Sequence, residues 1–232
     1  MTATPRVSGQ PLTPPRAAAL AGVIFALLMM MSLAVLRVTV PADPNHTGSW
    51  TTEPSVRNAV SFALQLAPFA GIAFLWFIGV LRDRLGALED QFFATVILGS
   101  GLLFVASLFG ATALAGALVR MPASDSVHMR GGEAYRVIRW ATYTFLNVLG
   151  IKMAGVFIFS TCTVALRTAI FPRWVAFAGY ACGLVLLLVI TNWEWIALLF
   201  PLWMLVLSTQ ILIADLRRGR QKPASSGLSA PN

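Results

Sequence analysis

Charged residues are scarce in this sequence: they make up 11% of its 232 residues, against 57% hydrophobic residues and a mean hydropathy of +0.76. Soluble globular domains carry about 25% charged residues. The shortage of charge excludes an ordinary soluble domain and predicts a protein whose main solvent is the lipid bilayer.

Acidic residues are the scarcer charged class, with 9 Asp and Glu against 17 Lys and Arg and a net charge of +8. A nucleic-acid-binding protein gathers its basic residues into a patch on a folded domain. Here the basic residues punctuate apolar runs instead. We therefore expect no nucleic-acid partner.

Cysteine and histidine are rare as well. Cys162 and Cys182 both lie inside apolar segments, which gives no sign of a disulfide framework. His46 and His128 lack the H-x-x-H and H-E-x-x-H spacings of metal sites, so we interpret them as solvated loop residues. The sequence predicts no metal site.

Catalytic motifs are absent too. The sequence contains no nucleophile elbow, P-loop or dinucleotide fingerprint, and no paired carboxylates inside an apolar run. Ser160, Thr161 and Thr163 form a polar stretch, but no candidate base accompanies them. We expect no catalytic residue and no cofactor.

Long apolar runs dominate what is present. A hydrocarbon core of about 30 Å requires about 20 helical residues. The sequence predicts an all-α, polytopic transmembrane helix bundle with about six spans, the last two joined as a tight hairpin by Thr191 and Asn192. The predicted spans are 17–38, 58–81, 91–119, 139–166, 174–190 and 193–214.

The two ends of the chain differ from this apolar domain, which we place at residues 17–215. Residues 1–16 are rich in proline and polar residues, and residues 216–232 begin with basic residues and continue with small polar ones. Such compositions predict a disordered N-terminal tail and a basic, then disordered, C-terminal tail.

The distribution of Lys and Arg predicts the orientation, because cytoplasmic loops carry an excess of these residues. An N-terminus inside the cell places ten of them on the inner side and six on the outer side, with both termini cytoplasmic. The inner set is Arg6, Arg16, Arg82, Arg84, Arg167, Arg173, Arg217, Arg218, Arg220 and Lys222; the outer set is Arg37, Arg57, Arg120, Arg130, Arg136 and Arg139.

Lys152 is the one basic residue deep inside a predicted span. A lysine at a helix centre costs about 2.5–3.5 kcal/mol on insertion scales, so it should face the bundle interior. Pro68 and Pro201 are candidate helix kinks, and each would free the carbonyl four residues earlier, that of Leu64 or Ala197. These carbonyls are the predicted acceptors for the Lys152 ammonium group.

Polar residues at similar depth extend this prediction to a candidate mid-membrane site, and its members are Lys152, Asn147, Ser100 and Gln65. A functional and a structural interpretation both stay open. In the functional one, Lys152 is the positive charge of a site for an anion or lipid headgroup, or a proton-coupled group. In the structural one, it is an internal donor that only joins helices.

Two other features concern packing and docking. The sequence G-Y-A-C-G, residues 179–183, has the small-x-x-x-small spacing of close helix contacts. The charged turn at residues 81–91 is a candidate docking surface for a soluble partner, although its charges are more simply explained as the ends of two helices.

Two stretches resemble a family of uncharacterised bacterial integral membrane proteins, mostly actinobacterial, with about six spans and no assigned activity. They are F-A-G-I-A-F-L-W-F-I-G-V-L-R-D-R-L-G-A-L-E-D-Q-F-F-A-T-V-I-L-G-S-G-L-L-F-V-A at residues 69–106 and K-M-A-G-V-F-I-F-S-T-C-T-V-A-L-R-T-A-I-F-P-R-W-V-A-F-A-G-Y at residues 152–180. The resemblance implies the bacterial cytoplasmic membrane and brings no catalytic residue with it.

The leading expectation is a non-enzymatic interaction or accessory component of that membrane. The alternative is a small transporter or channel-like protein that handles an anionic or amphiphilic solute around Lys152. A third hypothesis, an intramembrane enzyme, lacks the motifs named above. Expected partners are the lipid bilayer and either a second copy of the chain or a membrane or cytoplasmic protein.

Overall fold

The computed structural model describes residues 14–40, 53–85, 91–120, 132–168, 172–188 and 195–220, which form six helices and no strand. This confirms the all-helical bundle. The helices are α1 (Pro14–Thr39), α2 (Pro54–Leu85), α3 (Gln91–Arg120), α4 (Glu133–Thr168), α5 (Arg173–Leu188) and α6 (Leu199–Arg220). A 3₁₀ turn, Ile196–Leu198, leads into α6.

Five of these helices are long and apolar enough to cross a membrane, and α5 is a shorter apolar helix of 16 residues. Sixteen residues rise about 24 Å, which is less than the hydrocarbon core of about 30 Å. The protein is therefore a membrane protein in which one helix, as described, is shorter than the others.

A seven-residue π-helical segment, Thr144–Gly150, interrupts α4 and separates the α-helical parts Glu133–Tyr143 and Ile151–Thr168. The backbone stays helical through both junctions. Segments of this kind are rare and occur often at functional sites. The side chains around residue 147, in the middle of this segment, are therefore candidates for a functional site.

The helices form a ring in chain order, in which each packs against the next and α6 returns to α1. An ion pair between Arg16 Nε and Asp215 Oδ2, 2.7 Å apart, joins α1 and α6 at one end. The start of α1 and the end of α6 thus lie at the same end of the bundle. We call the other half of the bundle the distal half.

Five phenylalanine side chains fill the centre of the ring. They are Phe25, Phe74, Phe104, Phe157 and Phe200, each from a different helix and each at most 4% exposed. Neighbouring ring centroids lie 4.7 to 6.2 Å apart, mostly edge to face. This phenylalanine layer closes the middle of the bundle with the ring geometry that aromatic pairs prefer.

Some predicted boundaries differ from the structure. Helix α1 already begins at Pro14 and α6 continues to Arg220, so the predicted tails overlap helix at both ends. The other tail residues, 1–13 and 221–232, lie outside the described residues, as do residues 189 and 190 of the fifth span. Helix α4 begins at Glu133, six residues before the predicted span, because its first part has one buried face.

The expected kink at Pro201 is also corrected. Pro201 lies in the first turn of α6, directly after the 3₁₀ turn, so it marks the start of this helix. A proline is tolerated at that point because the first N–H groups of a helix have no intrahelical acceptor. Pro68, by contrast, lies inside α2.

Helices α4 and α5 approach closely at glycines. A Cβ atom on Gly183 would come within 2.7 Å of the Phe159 ring and 3.3 Å of the Gly155 carbonyl oxygen, and one on Gly155 within 2.9 Å of Leu187. The G-Y-A-C-G stretch thus lies at a close helix contact, where small residues let backbones approach.

We expect Gly183→Ala to lower the free energy of unfolding by about 1–3 kcal/mol, the usual cost of overpacking. Gly116→Ala is the matched control, because a Cβ atom there meets nothing within 4 Å. Thermal unfolding in detergent, followed by the reaction of buried Cys162 with a thiol-reactive dye, measures both. Equal stability of the two variants would contradict the close contact.

Candidate functional site

The Lys152 side chain binds the end of a neighbouring helix. Its Nζ atom donates hydrogen bonds to the carbonyl oxygens of Leu186, at 3.2 Å, and Leu187, at 2.5 Å. Both carbonyls belong to the last described turn of α5. Carbonyls at a helix C-terminus lack intrahelical donors, and a cation there also interacts favourably with the helix dipole.

These bonds explain why a lysine is tolerated at this depth. Backbone polar groups inside the hydrocarbon region must find partners within the protein. The Lys152 ammonium group supplies donors to two carbonyls in the last described turn of α5. The described acceptors are thus at a helix end, whereas the prediction pointed to the proline-freed carbonyls of Leu64 and Ala197.

The structure does not bring the other candidate polar residues to Lys152. Asn147 accepts a hydrogen bond from Arg37, and the Ser100 hydroxyl donates to the carbonyl of Val96, one turn earlier in its own helix. Gln65 is exposed on the surface of α2. These residues share a depth in the sequence, but they face different surroundings.

A cavity of about 160 Å³ lies in the distal half, between α1, α2, α3 and the first half of α4. We call it the distal cavity. An engineered apolar cavity of about 150 Å³ in another protein accommodates benzene, so this volume suits a small apolar group. Its apolar walls include Met29, Leu33, Leu36, Val40, Val60, Leu64, Ala67, Leu108, Ala111, Ala115, Leu118, Val119 and Leu146.

Two arginines, Arg37 and Arg139, and the amide of Asn147 also line this cavity. Arg139 is 9% exposed, and Arg37 Nη2 donates to Asn147 Oδ1 at 3.5 Å. Three hydroxyl groups of the lining are already bonded: Ser32 donates to the carbonyl of Ala63, and Thr112 and Thr142 donate within their own helices. The guanidinium groups are thus the cationic groups of the described lining.

The arginines lie near the distal ends of their helices. Arg37 precedes the last residue of α1 by two positions, and Arg139 is about 9 Å along the axis from the first residue of α4. Met29 lines the cavity about 12 Å deeper along α1. The cavity is therefore charged towards its mouth and apolar towards its floor.

Beneath the distal cavity lies a much smaller one of about 10 Å³, bounded by Leu186, Ala197 and Phe200. Phe104 and Phe200 of its lining belong to the phenylalanine layer. The distal cavity is therefore separated by a packed aromatic layer from the end of the bundle that carries the termini.

Half-buried lining residues mark the mouth of the distal cavity. The lining residues of α2 are buried, whereas Leu36 and Arg37 of α1, Thr112 and Ala115 of α3, and Leu146 and Asn147 of α4 are half-buried. Asn147 lies in the middle of the π-helical segment, which also carries Leu146. The irregular part of α4 thus forms one side of the mouth.

Tyr135 adds a polar atom next to this cavity. Its ring packs with Val60, Leu64, Leu118 and Val119, which all line the cavity wall. Its hydroxyl group is buried and has no hydrogen-bond partner in the described structure. Buried polar groups usually have a partner, so a water or ligand atom would be favourable here.

Sequence reasoning missed Arg37 and Arg139 as site residues, because it assigned both to a membrane boundary. One signal was present: Arg139 is four residues from Tyr135 and from Tyr143, so it shares a helix face with two aromatic residues. Arg136 falls on another face and is exposed. Two histidines, His46 and His128, and residues 86–90 of the turn at residues 81–91 lie outside the described residues.

Comparison with protein-family models, curated proteins and solved structures finds no match to this chain. The resemblance to a bacterial membrane-protein family therefore stays a prediction. A planar guanidinium group can bind a carboxylate or phosphate through two hydrogen bonds, and the wall beneath it can hold an apolar group.

Proposed function

We propose that the protein is a non-enzymatic component of the bacterial cytoplasmic membrane that binds an amphiphilic anion in the distal cavity. With both termini in the cytoplasm, this cavity opens towards the outer leaflet. The observation that carries the proposal is the placement of Arg37 and Arg139 on a cavity whose walls are mainly apolar. One site thus combines positive charges that can bind an anionic headgroup with apolar volume that can hold a hydrocarbon chain.

The proposal moves the anion site away from Lys152. Lys152 does not line the distal cavity, and its described bonds support the packing of α4 against α5. The arginines suit an anion better, because guanidinium groups stay protonated and bind carboxylates or phosphates in a fixed geometry. Accessory function would then consist of holding the amphiphile or presenting it to a membrane partner.

Octanoate tests this proposal as a small amphiphilic anion. In phosphatidylcholine nanodiscs, octanoate should raise the apparent Tm, since a ligand that binds only the folded state stabilises it by about 2.7 kcal/mol at one hundred times its Kd. Acetate lacks the apolar part and octanol lacks the charge, so neither should give this shift.

Arg139→Gln should abolish the octanoate shift, and Arg136→Gln should keep it. Both variants remove one positive charge from the first part of α4, but Arg136 is exposed and lies outside the cavity. An equal shift in the two variants would mean that octanoate acts through the bilayer, and the proposed site would be rejected.

Transport of the same anion is the second candidate function. It is favoured by a cavity that opens on one side of a closed layer, as alternating access requires. The phenylalanine layer would then be the barrier that opens. Uptake of labelled octanoate by proteoliposomes supports this candidate, whereas binding without uptake supports the accessory function.

A further inference from the structure

We infer that the occupant of the distal cavity is an anionic lipid of the outer leaflet, which enters between α1 and α4 and whose headgroup replaces Asn147 at Arg37. This inference rests on the proposed anion site and adds the source of the ligand and its route. Three observations support it: the side on which the cavity opens, the depth of its charged groups, and the geometry of the bond at its mouth.

The opening faces the bilayer. In the ring of helices, α1 and α4 are hardly packed against each other along their described residues, and the bond from Arg37 to Asn147 joins them. Helices α5 and α6 lie between α1 and α4 in the ring, and Leu186 and Ala197, near their described distal ends, line the smaller cavity below. We assign the route of the lipid chain to this flank between the described residues of α1 and α4.

The depth of the charged groups matches a lipid lying parallel to its neighbours. Arg37 and Arg139 are near the distal helix ends, where a transmembrane helix meets the headgroup region. The apolar wall extends about 12 Å deeper, to Met29. A lipid could thus keep its phosphate at headgroup level while part of one chain occupies the cavity.

The bond across the mouth is suited to exchange. Its length of 3.5 Å is at the long limit for a hydrogen bond, and its acceptor is a neutral amide oxygen. A phosphate would bind the same guanidinium group at about 2.7–2.9 Å, with a full negative charge on the acceptor and the option of two parallel hydrogen bonds. The headgroup therefore competes favourably with Asn147 for Arg37.

Lipid retention measures the inference directly. The wild-type protein is placed in nanodiscs with equal amounts of phosphatidylglycerol and phosphatidylcholine, released, and examined by native mass spectrometry. One phosphatidylglycerol molecule should be retained in preference to phosphatidylcholine. Asn147→Asp should weaken this retention about tenfold or more, because its carboxylate would occupy Arg37 in place of the lipid phosphate.

Two further variants complete the test. Asn147→Ala removes the competing amide and should retain phosphatidylglycerol at least as well as wild type, even if Asn147→Asp fails to fold. Arg136→Gln is the charge-matched control for Arg37→Gln: the first should keep the lipid and the second should lose it. Loss of the lipid from Asn147→Ala, or its retention by Arg37→Gln, would overturn the inference.

The outcomes also separate the inference from the proposed function. If phosphatidylglycerol shows no preference but octanoate still raises the Tm through Arg139, the ligand comes from water. The lipid inference then fails and the anion site stands. If the octanoate shift is also absent, both fail together.

Discussion

Replacing Lys152 with methionine should lower the free energy of unfolding by about 1–3 kcal/mol, which is the cost of leaving a buried polar group unsatisfied. The ammonium group of Lys152 donates to the carbonyls of Leu186 and Leu187, and methionine fills similar space without a donor. Thermal unfolding in nanodiscs, reported by exposure of buried Cys162, provides the measurement.

Lys152→Arg is the control for this prediction, because arginine keeps the charge and the donors while it changes the shape of the group. It should recover much of the lost stability. Lys152→Met should also keep the octanoate shift, since Lys152 does not line the distal cavity. A stable Lys152→Met variant that has lost the octanoate response would instead make Lys152 part of the binding site.

Lys152 shows which features of a buried charge can be predicted from the sequence and which cannot. A charge amid apolar residues had to face the protein interior and find acceptors, and this much followed from the cost of burial. Its acceptors could not be predicted, because they depend on which helix lies beside α4 and where that helix ends. The prolines suggested free carbonyls, but Pro201 lies in a first turn, where no earlier helical turn is broken.

The positions of the helices could be predicted better than which side of each helix faces lipid and which faces protein. A run of about 20 apolar residues reveals a span because the bilayer thickness fixes its length. It does not reveal which side faces lipid when both sides are apolar. Gln65 illustrates this: its depth suggested an interior polar layer, yet its side chain is exposed on α2.

The distal cavity could not be predicted from the sequence for the same reason. Arg37 and Arg139 are about a hundred residues apart in sequence, and only the packing of α1, α2, α3 and α4 brings both to one cavity. A rule that counts arginines by side treats each as a boundary marker. The π-helical segment, which places Asn147 at the mouth, also has no recognisable signal in the sequence.

Replacing Phe74 with alanine should destabilise the bundle more than any other aromatic truncation in the phenylalanine layer. The Phe74 ring is fully buried and contacts five rings, those of Phe25, Phe77, Phe104, Phe157 and Phe200, whereas Phe200 contacts four. In soluble proteins Phe→Ala in a core costs about 3–5 kcal/mol, as lost transfer energy plus a cavity. Only the packing part remains where the unfolded state is also in lipid, so we expect about 2 kcal/mol or more.

Phe69→Ala is the matched control on the same helix. Its ring is 62% exposed, so the contacts it loses are with lipid and the expected change is within about 0.5 kcal/mol. Unfolding in mixed micelles with increasing SDS, followed by tryptophan fluorescence, compares the two variants. If Phe74→Ala is no less stable than Phe69→Ala, the five rings do not hold α1, α2, α3, α4 and α6 together. The closed layer beneath the distal cavity would then have to be a soft boundary, and a route for solute through it would become the better explanation of the bundle.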